Sequence, residues 1–165
     1  MSIQVGDKLP EATFMVMGAE GPEPKTTSEV FGGKKVAMFA VPGAFTPTCH
    51  KTHLPGFVER ATELKGKGCD AVVCTSVNDV FVMDAWAQDT GANGKITMLA
   101  DGGALFAKAL GLDIDLTERG MGFRSKRYAM MVEDGVVKVL NVEDAPPKVD
   151  KSSAETLCSM IDDSL

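Results

Sequence analysis

Cys49 stands in the stretch Val41-Pro42-Gly43-Ala44-Phe45-Thr46-Pro47-Thr48-Cys49-His50, between an apolar run and the start of a helical pattern. In an open α/β sheet, sites form at the ends of strands. A cysteine in the first turn of a helix meets free N–H groups and the positive end of the helix dipole. Both favour a thiolate, the nucleophilic form of sulfur, over a thiol. Thr46, three residues earlier, can bring its hydroxyl to that sulfur or to an oxygen bound beside it. Pro42 and Pro47 stiffen the loop and remove two backbone donors, leaving a small number of fixed N–H groups aimed at one spot. Gly43 and Phe45, on the same loop, are candidates for the wall of a pocket or for a contact surface. The competing reading is an inert structural cysteine buried beside a tight turn.

Other chemistries can be drawn from the same residues. Cys49 and His53 share a helical face, but the chain has 2 histidines, too few for a zinc site without a second ligand cluster. A Cys-His hydrolase would have to take His50 or His53 as its base, whereas such bases normally come from elsewhere in the fold. A phosphatase-like arginine six residues after the cysteine is absent, because position 55 is Pro55. The other cysteines are Cys69, Cys74 and Cys158, and no two of the four form a CxxC pair. Cys69 borders a glycine turn. Cys74 lies within the apolar AVVCTSV run and reads first as core. Cys158 shares a predicted helical face with Leu157 and Ile161. The 10 methionines read as core filler.

The elements that must position Cys49 alternate between two periods. Val36 to Val41 is a continuous apolar run that predicts a buried strand. Thr48 to Gly66 predicts a helix, with Pro55 expected to kink it. Ala71 to Val77 predicts a second strand. Asn78 and Asp79 are cap candidates for a helix carrying Phe81, Val82, Ala85 and Trp86 on one side. Ile96 to Ala100 predicts a third strand, Ala104 to Leu110 a short helix, and Gly111 to Ser125 a long loop. Arg127 to Glu133 and Val136 to Val142 form a hairpin turned at Asp134-Gly135. Ser152 and Glu155 suggest a capping box that opens a final helix. Two parallel crossovers followed by an antiparallel pair imply a mixed central sheet flanked by helices in one domain, residues 1–165. A thioredoxin-like fold fits this order; a flavodoxin-like sheet would lack the terminal hairpin.

Bulk properties exclude several classes. At 165 residues and 44% hydrophobic, the chain is long enough for a full core and is not disordered by composition. A net charge of −6 argues against nucleic-acid binding. No apolar run is long enough to predict a membrane span. The first ten residues do not read as a secretory signal, so a cytoplasmic protein with reduced thiols is expected.

Pro42, Thr46 and Cys49 together resemble the Pro-x-x-x-Thr-x-x-Cys motif of peroxiredoxins. The wider string VPGAFTPTCHKTHLPGF is similar to the atypical peroxiredoxin-5 and plant type II branch, as are SVNDVFVMDAW, LADGGALFAKALG and SKRYAMMVEDGVVKVLNVE. The resemblance runs from Val5 to about Glu143. It implies a peroxidase acting on hydrogen peroxide and alkyl hydroperoxides, with Cys49 as the attacking cysteine, Thr46 as its hydroxyl partner and Pro42 as a shield against water. It also implies that Arg127 lies over the sulfur, with Arg119 and Arg124 as fallbacks. No metal or organic cofactor is implied. The reductant is expected to be glutathione with glutaredoxin, or thioredoxin. Cys74 is the resolving candidate, matching a cysteine of plant type II relatives, and a homodimer packed through Phe45 and the site loops is expected. The other class kept open is a redox-sensing or chaperone-like binding protein on the same fold.

Overall fold

The computed structural model describes residues 2–145 and 147–164, without the side chains of residues 162–164. Its centre is β3 (Lys35–Val41), whose residues from Val36 to Val41 are wholly buried. Alternation along β3 sends Ala37, Phe39 and Val41 into one apolar layer, and Val36, Met38 and Ala40 into the other. A strand covered on both faces explains an apolar run without polar alternation.

β3 pairs in parallel with β4 (Ala71–Ser76), and β4 with β5 (Thr97–Ala100). On its other side β3 pairs antiparallel with β8 (Tyr128–Glu133), which turns through Asp134 and Gly135 into β9 (Val136–Val142). Both turn residues have positive φ, the geometry that an Asp-Gly hairpin supplies. β1 (Thr13–Gly18) and β2 (Gly21–Thr26) extend the sheet beyond β5, giving the order β2-β1-β5-β4-β3-β8-β9. Helices α2 (Leu54–Gly66), α3 (Val80–Thr90) and α5 (Ala154–Ser164) cover one face. α1 (Thr27–Phe31) and α4 (Leu105–Leu110) cover the other. This is the mixed sheet flanked by helices that the sequence predicts.

The edges of the sheet are treated differently. β2 (GPEPKT) carries Pro22 and Pro24, which have no N–H to offer. Along β9, the N-terminal segment lies beside the strand: Gly6 N–H donates to Val137 O, Val137 N–H to Asp7 O, and Leu9 N–H to Gly135 O.

Several expectations are corrected. β1, β2 and α1 precede the first strand read from the sequence. The signals were present: Thr26 accepts from Glu29 N–H while Glu29 returns a bond to Thr26 N–H, a capping box. The segment 111–125 is not an open loop, but contains a second small sheet of β6 (Asp113–Leu116) and β7 (Gly122–Ser125). Asp79 alone caps α3, accepting from Val82 N–H, because Asn78 is engaged elsewhere. The buried face of α3 is Val80, Met83, Trp86 and Ala87, and Phe81 points to solvent at 65% exposure. Before α5 the capping hydroxyl is Ser153, which accepts from Thr156 N–H. Ser152 instead donates to the buried carboxylate of Glu143. Ahead of α2, the expected irregularity at Pro55 is a turn of π-helix, Cys49–His53, in which Leu54 N–H reaches Cys49 O. Pro55 has no N–H to continue an α-helical ladder through that turn.

Candidate active site

β3 ends at Val41, and the chain crosses Pro42–Phe45 before turning helical at Pro47. Proline suits this first helical position, where its missing N–H costs nothing. His50 N–H donates to Thr46 O, so Cys49 does lie in the first turn. Phe45 takes a left-handed conformation, φ 64°, a strained geometry for an aromatic residue. The loop tethers hold it there. Ala44 N–H donates to Asn78 Oδ1, itself bonded by Ser76 Oγ, and Arg124 Nη1 donates to Pro42 O at 3.3 Å. A side chain at Gly43 would meet that Arg124 nitrogen at 2.9 Å and the Thr46 methyl at 3.1 Å, so it would displace the end of Arg124 from Pro42 O.

Arg127 completes the site from β8's leading end. It is buried, and its Nη2 donates to Cys49 Sγ at 2.9 Å. The guanidinium sets a fixed positive charge and a hydrogen-bond donor directly against the sulfur. A charge-assisted bond of this kind contributes about 1.5–3 kcal/mol. The sulfur itself is fully buried. Of the arginines considered, Arg127 reaches it; Arg124 is spent on Met121 O and Pro42 O, and Arg119 lies in the 3₁₀ turn between β6 and β7.

The arginine is itself held from behind. His53 Nε2–H donates to Ser152 O at 2.8 Å, which leaves Nδ1 as an acceptor, 2.9 Å from Arg127 Nη1. Burial and the neighbouring guanidinium hold His53 neutral, its pKa down at about 3. Ser152 is fixed in turn by Glu143, which accepts from Ser152 N–H, Ser152 Oγ–H and Asp150 N–H, each at 2.7 Å. Sequence reasoning set His53 among metal or base candidates and did not find Glu143. The signal for His53 was its i, i+4 spacing from Cys49, which puts both on one helical face. A cation is disfavoured between them because a guanidinium already donates to both.

The neutral His53 has a measurable consequence. Folded, it stays unprotonated down to about pH 3, whereas unfolded it takes a proton near 6.5. Its contribution to stability is therefore complete above about pH 6.5 and is lost progressively toward pH 3. We expect the unfolding free energy to fall by about 2 kcal/mol between about pH 7 and about pH 5, and His53→Gln to flatten that slope. Urea unfolding at the two pH values measures it; equal slopes in both proteins would mean that His53 charges without penalty.

Pro42, Thr46, Pro47, Thr48, Met121 and Arg127 are among the walls of a cavity of about 310 Å³ next to the Cys49 turn. Pro42 is buried there. Thr46 is brought to the cavity, but its hydroxyl donates to Gly43 O at 2.7 Å rather than to Cys49. Its oxygen lone pairs remain for an incoming O–H. Cys74 sits in mid-β4 in the same apolar layer as Cys49, with its thiol pushed well up by burial and by the nearby Cys49 charge. Burial also raises Cys158, to about 11, and Cys69. All four thiols are free. Phe45 is 48% exposed and stacks on His50, whose Nδ1 accepts from Trp86 Nε1–H.

A buried cysteine under an arginine, at a strand-to-helix junction of a mixed sheet, defines a thiol-dependent redox enzyme of thioredoxin-like fold. The redoxin family model matches residues 4–158. The chain is 48% identical to the chloroplast peroxiredoxin-2E of Arabidopsis thaliana over 160 residues, 94% of this chain and 68% of that protein. The crystal structure of reduced Prx3 of Vibrio vulnificus in complex with hydrogen peroxide superposes with a TM-score of 0.92 at 50% identity, covering 96% of this chain and 99% of that one. Peroxiredoxin 5 of Alvinella pompejana superposes at 0.85 with 30% identity, covering 98% and 99%. The chain belongs to the peroxiredoxins, in their plant type II branch, and is a thiol-dependent peroxidase.

Proposed function

We propose that Cys49 is the peroxide-attacking residue, with Arg127 and Thr46 as its partners. The bond from Arg127 Nη2 to Cys49 Sγ at 2.9 Å carries this reading. The Cys49 thiolate attacks the terminal oxygen of the peroxide in line with the O–O bond. A sulfur–oxygen bond forms as the O–O bond breaks, giving a sulfenic acid. The departing hydroxide or alkoxide is met by the guanidinium, which stabilises charge where it develops. The apolar cavity walls suit alkyl hydroperoxides as well as hydrogen peroxide.

The reductant is an external thiol, glutathione with glutaredoxin or else thioredoxin, in a reducing compartment that we take to be the cytoplasm. Cys74 is bonded into the sheet on both sides, between β3 and β5, and its thiol resists ionisation. Attack on a sulfenic acid needs a thiolate, so Cys74 is poorly placed without local unfolding. One equivalent of peroxide without added thiol should therefore leave a sulfenic acid that glutathione converts to a mixed disulfide. Mass spectrometry reads both species. A rapid loss of two protons' mass that vanishes in Cys74→Ser would overturn the external route.

We also propose a homodimer through the site loops. Phe45 follows β3, Phe81 opens α3 after β4, and Leu105 opens α4 after β5, exposed by 48%, 65% and 69%. The three loops sit side by side, linked by the Ala44–Asn78 bond and by Asp101 N–H donating to Ser76 O. Apolar groups gathered at one end of a sheet favour an interface. Sedimentation of the reduced protein at micromolar concentration should give a dimer; a monomer throughout would contradict it.

A further inference from the structure

The cavity beside Cys49 has an unusual charge for this chain. Across the sequence, acidic residues outnumber basic ones, 23 to 17. Yet the cavity lining contains two arginines, Arg119 and Arg127, and no carboxylate. Arg127 is committed to Cys49 and His53. Arg119 makes no hydrogen bond or ion pair among the described residues, and is an exposed part of the cavity wall, which the buried Leu116 and half-buried Met121 also line. It is carried on an ordered turn: Gly120 N–H donates to Thr117 O, and Met121 N–H to Leu116 O. The nearby carboxylate of Asp115 is engaged by Thr117 N–H. Glu118 is exposed and absent from the cavity wall.

Resting on the reading of Cys49 as the attacking residue, we propose that Arg119 selects organic hydroperoxides that carry a carboxylate remote from the O–O bond. Such a molecule places its peroxide at Cys49, its apolar body against Leu116, Met121 and the prolines, and its anionic end on Arg119. A guanidinium is suited to this task, because its donor fork matches both oxygens of a carboxylate. The chemical step is unchanged. Sulfur takes the terminal oxygen and is oxidised, the O–O bond breaks, and the leaving alkoxide takes a proton from water.

The test uses a matched pair: cumene hydroperoxide bearing a para carboxylate, and its methyl ester. The reduced protein reacts with each in a single turnover, without external thiol, so the carboxylates of glutathione play no part. Fluorescence of Trp86, the only tryptophan, reports oxidation because its ring bonds His50 next to Cys49. Each rate is referred to the same protein's rate with hydrogen peroxide, which is too small to span the cavity. We expect the acid to outpace the ester by about five- to tenfold, a gap that narrows in high salt. Arg119→Ala should close the gap and Arg119→Lys should restore part of it. No preference in the unaltered chain, or a preference that survives Arg119→Ala, overturns the proposal while leaving the peroxidase intact. Failure of hydrogen peroxide itself to oxidise Cys49 would sink both.

Discussion

Cys49→Ser should reduce peroxide turnover by at least about a thousandfold, because removal of the attacking atom leaves only binding and charge placement. Serine is nearly isosteric, so the fold should survive the change. A hydroxyl is not ionised near neutral pH, even beside a guanidinium. Its oxygen is also a far poorer nucleophile toward an O–O bond than a sulfur anion. The measurement is hydrogen peroxide consumption with glutathione and glutaredoxin, or with thioredoxin, in excess. None of Cys69, Cys74 and Cys158 can substitute, since burial keeps each of their thiols protonated. Slow turnover unchanged by the substitution would mean that the chemistry is not at Cys49.

Arg127→Ala should slow peroxide attack by about 10²–10³-fold, the scale of removing one preorganised donor from a charge-stabilising site. Two losses combine. The thiolate loses its bonded cation, and the departing oxygen loses the group that meets its charge. Arg127→Lys should recover only part of the rate, because an ammonium cannot bond Cys49 Sγ and His53 Nδ1 from two rigidly spaced nitrogens. Stopped-flow oxidation of the reduced protein by hydrogen peroxide measures the rate. A wild-type rate in Arg127→Ala would remove that residue from the site.

Legibility in the sequence followed the range of the interactions. β3 and β4 were readable because burial on both faces leaves an unbroken apolar run. The β8–β9 hairpin was readable because Asp134-Gly135 announces its own turn geometry. Cys49 was readable as reactive from one turn of local structure. The bond to Arg127 spans 78 positions, and no spacing rule reaches that far; the family resemblance supplied it. The His53–Ser152–Glu143 support was not readable, since His53 to Ser152 spans 99 positions and a lone histidine on a helix has many uses. The face of α3 was misread because Phe81 and Val82 look like core. Trp86 is buried as expected, but its companions there are Val80, Met83 and Ala87. The β6–β7 hairpin was missed because its strands, DIDL and GFRS, are short and only partly buried, so no apolar run marks them.

The two edges of the sheet bear on how the protein survives crowding. An unpaired strand edge is a template on which further copies can stack indefinitely. Here one edge is β2, whose Pro22 and Pro24 cannot donate and whose Glu23 and Lys25 would have to be desolvated beside a newcomer. The other is covered at its leading end, Gly135 to Val137, by the chain's own N-terminal segment, bonded through Gly6, Asp7 and Leu9. Open-ended growth is thus hindered at β2 and at the leading end of β9, which favours self-association through a surface that can close on itself. Trimming the first nine residues would bare the N–H of Val137 and the carbonyls of Gly135 and Val137, where a strand from another copy could then add.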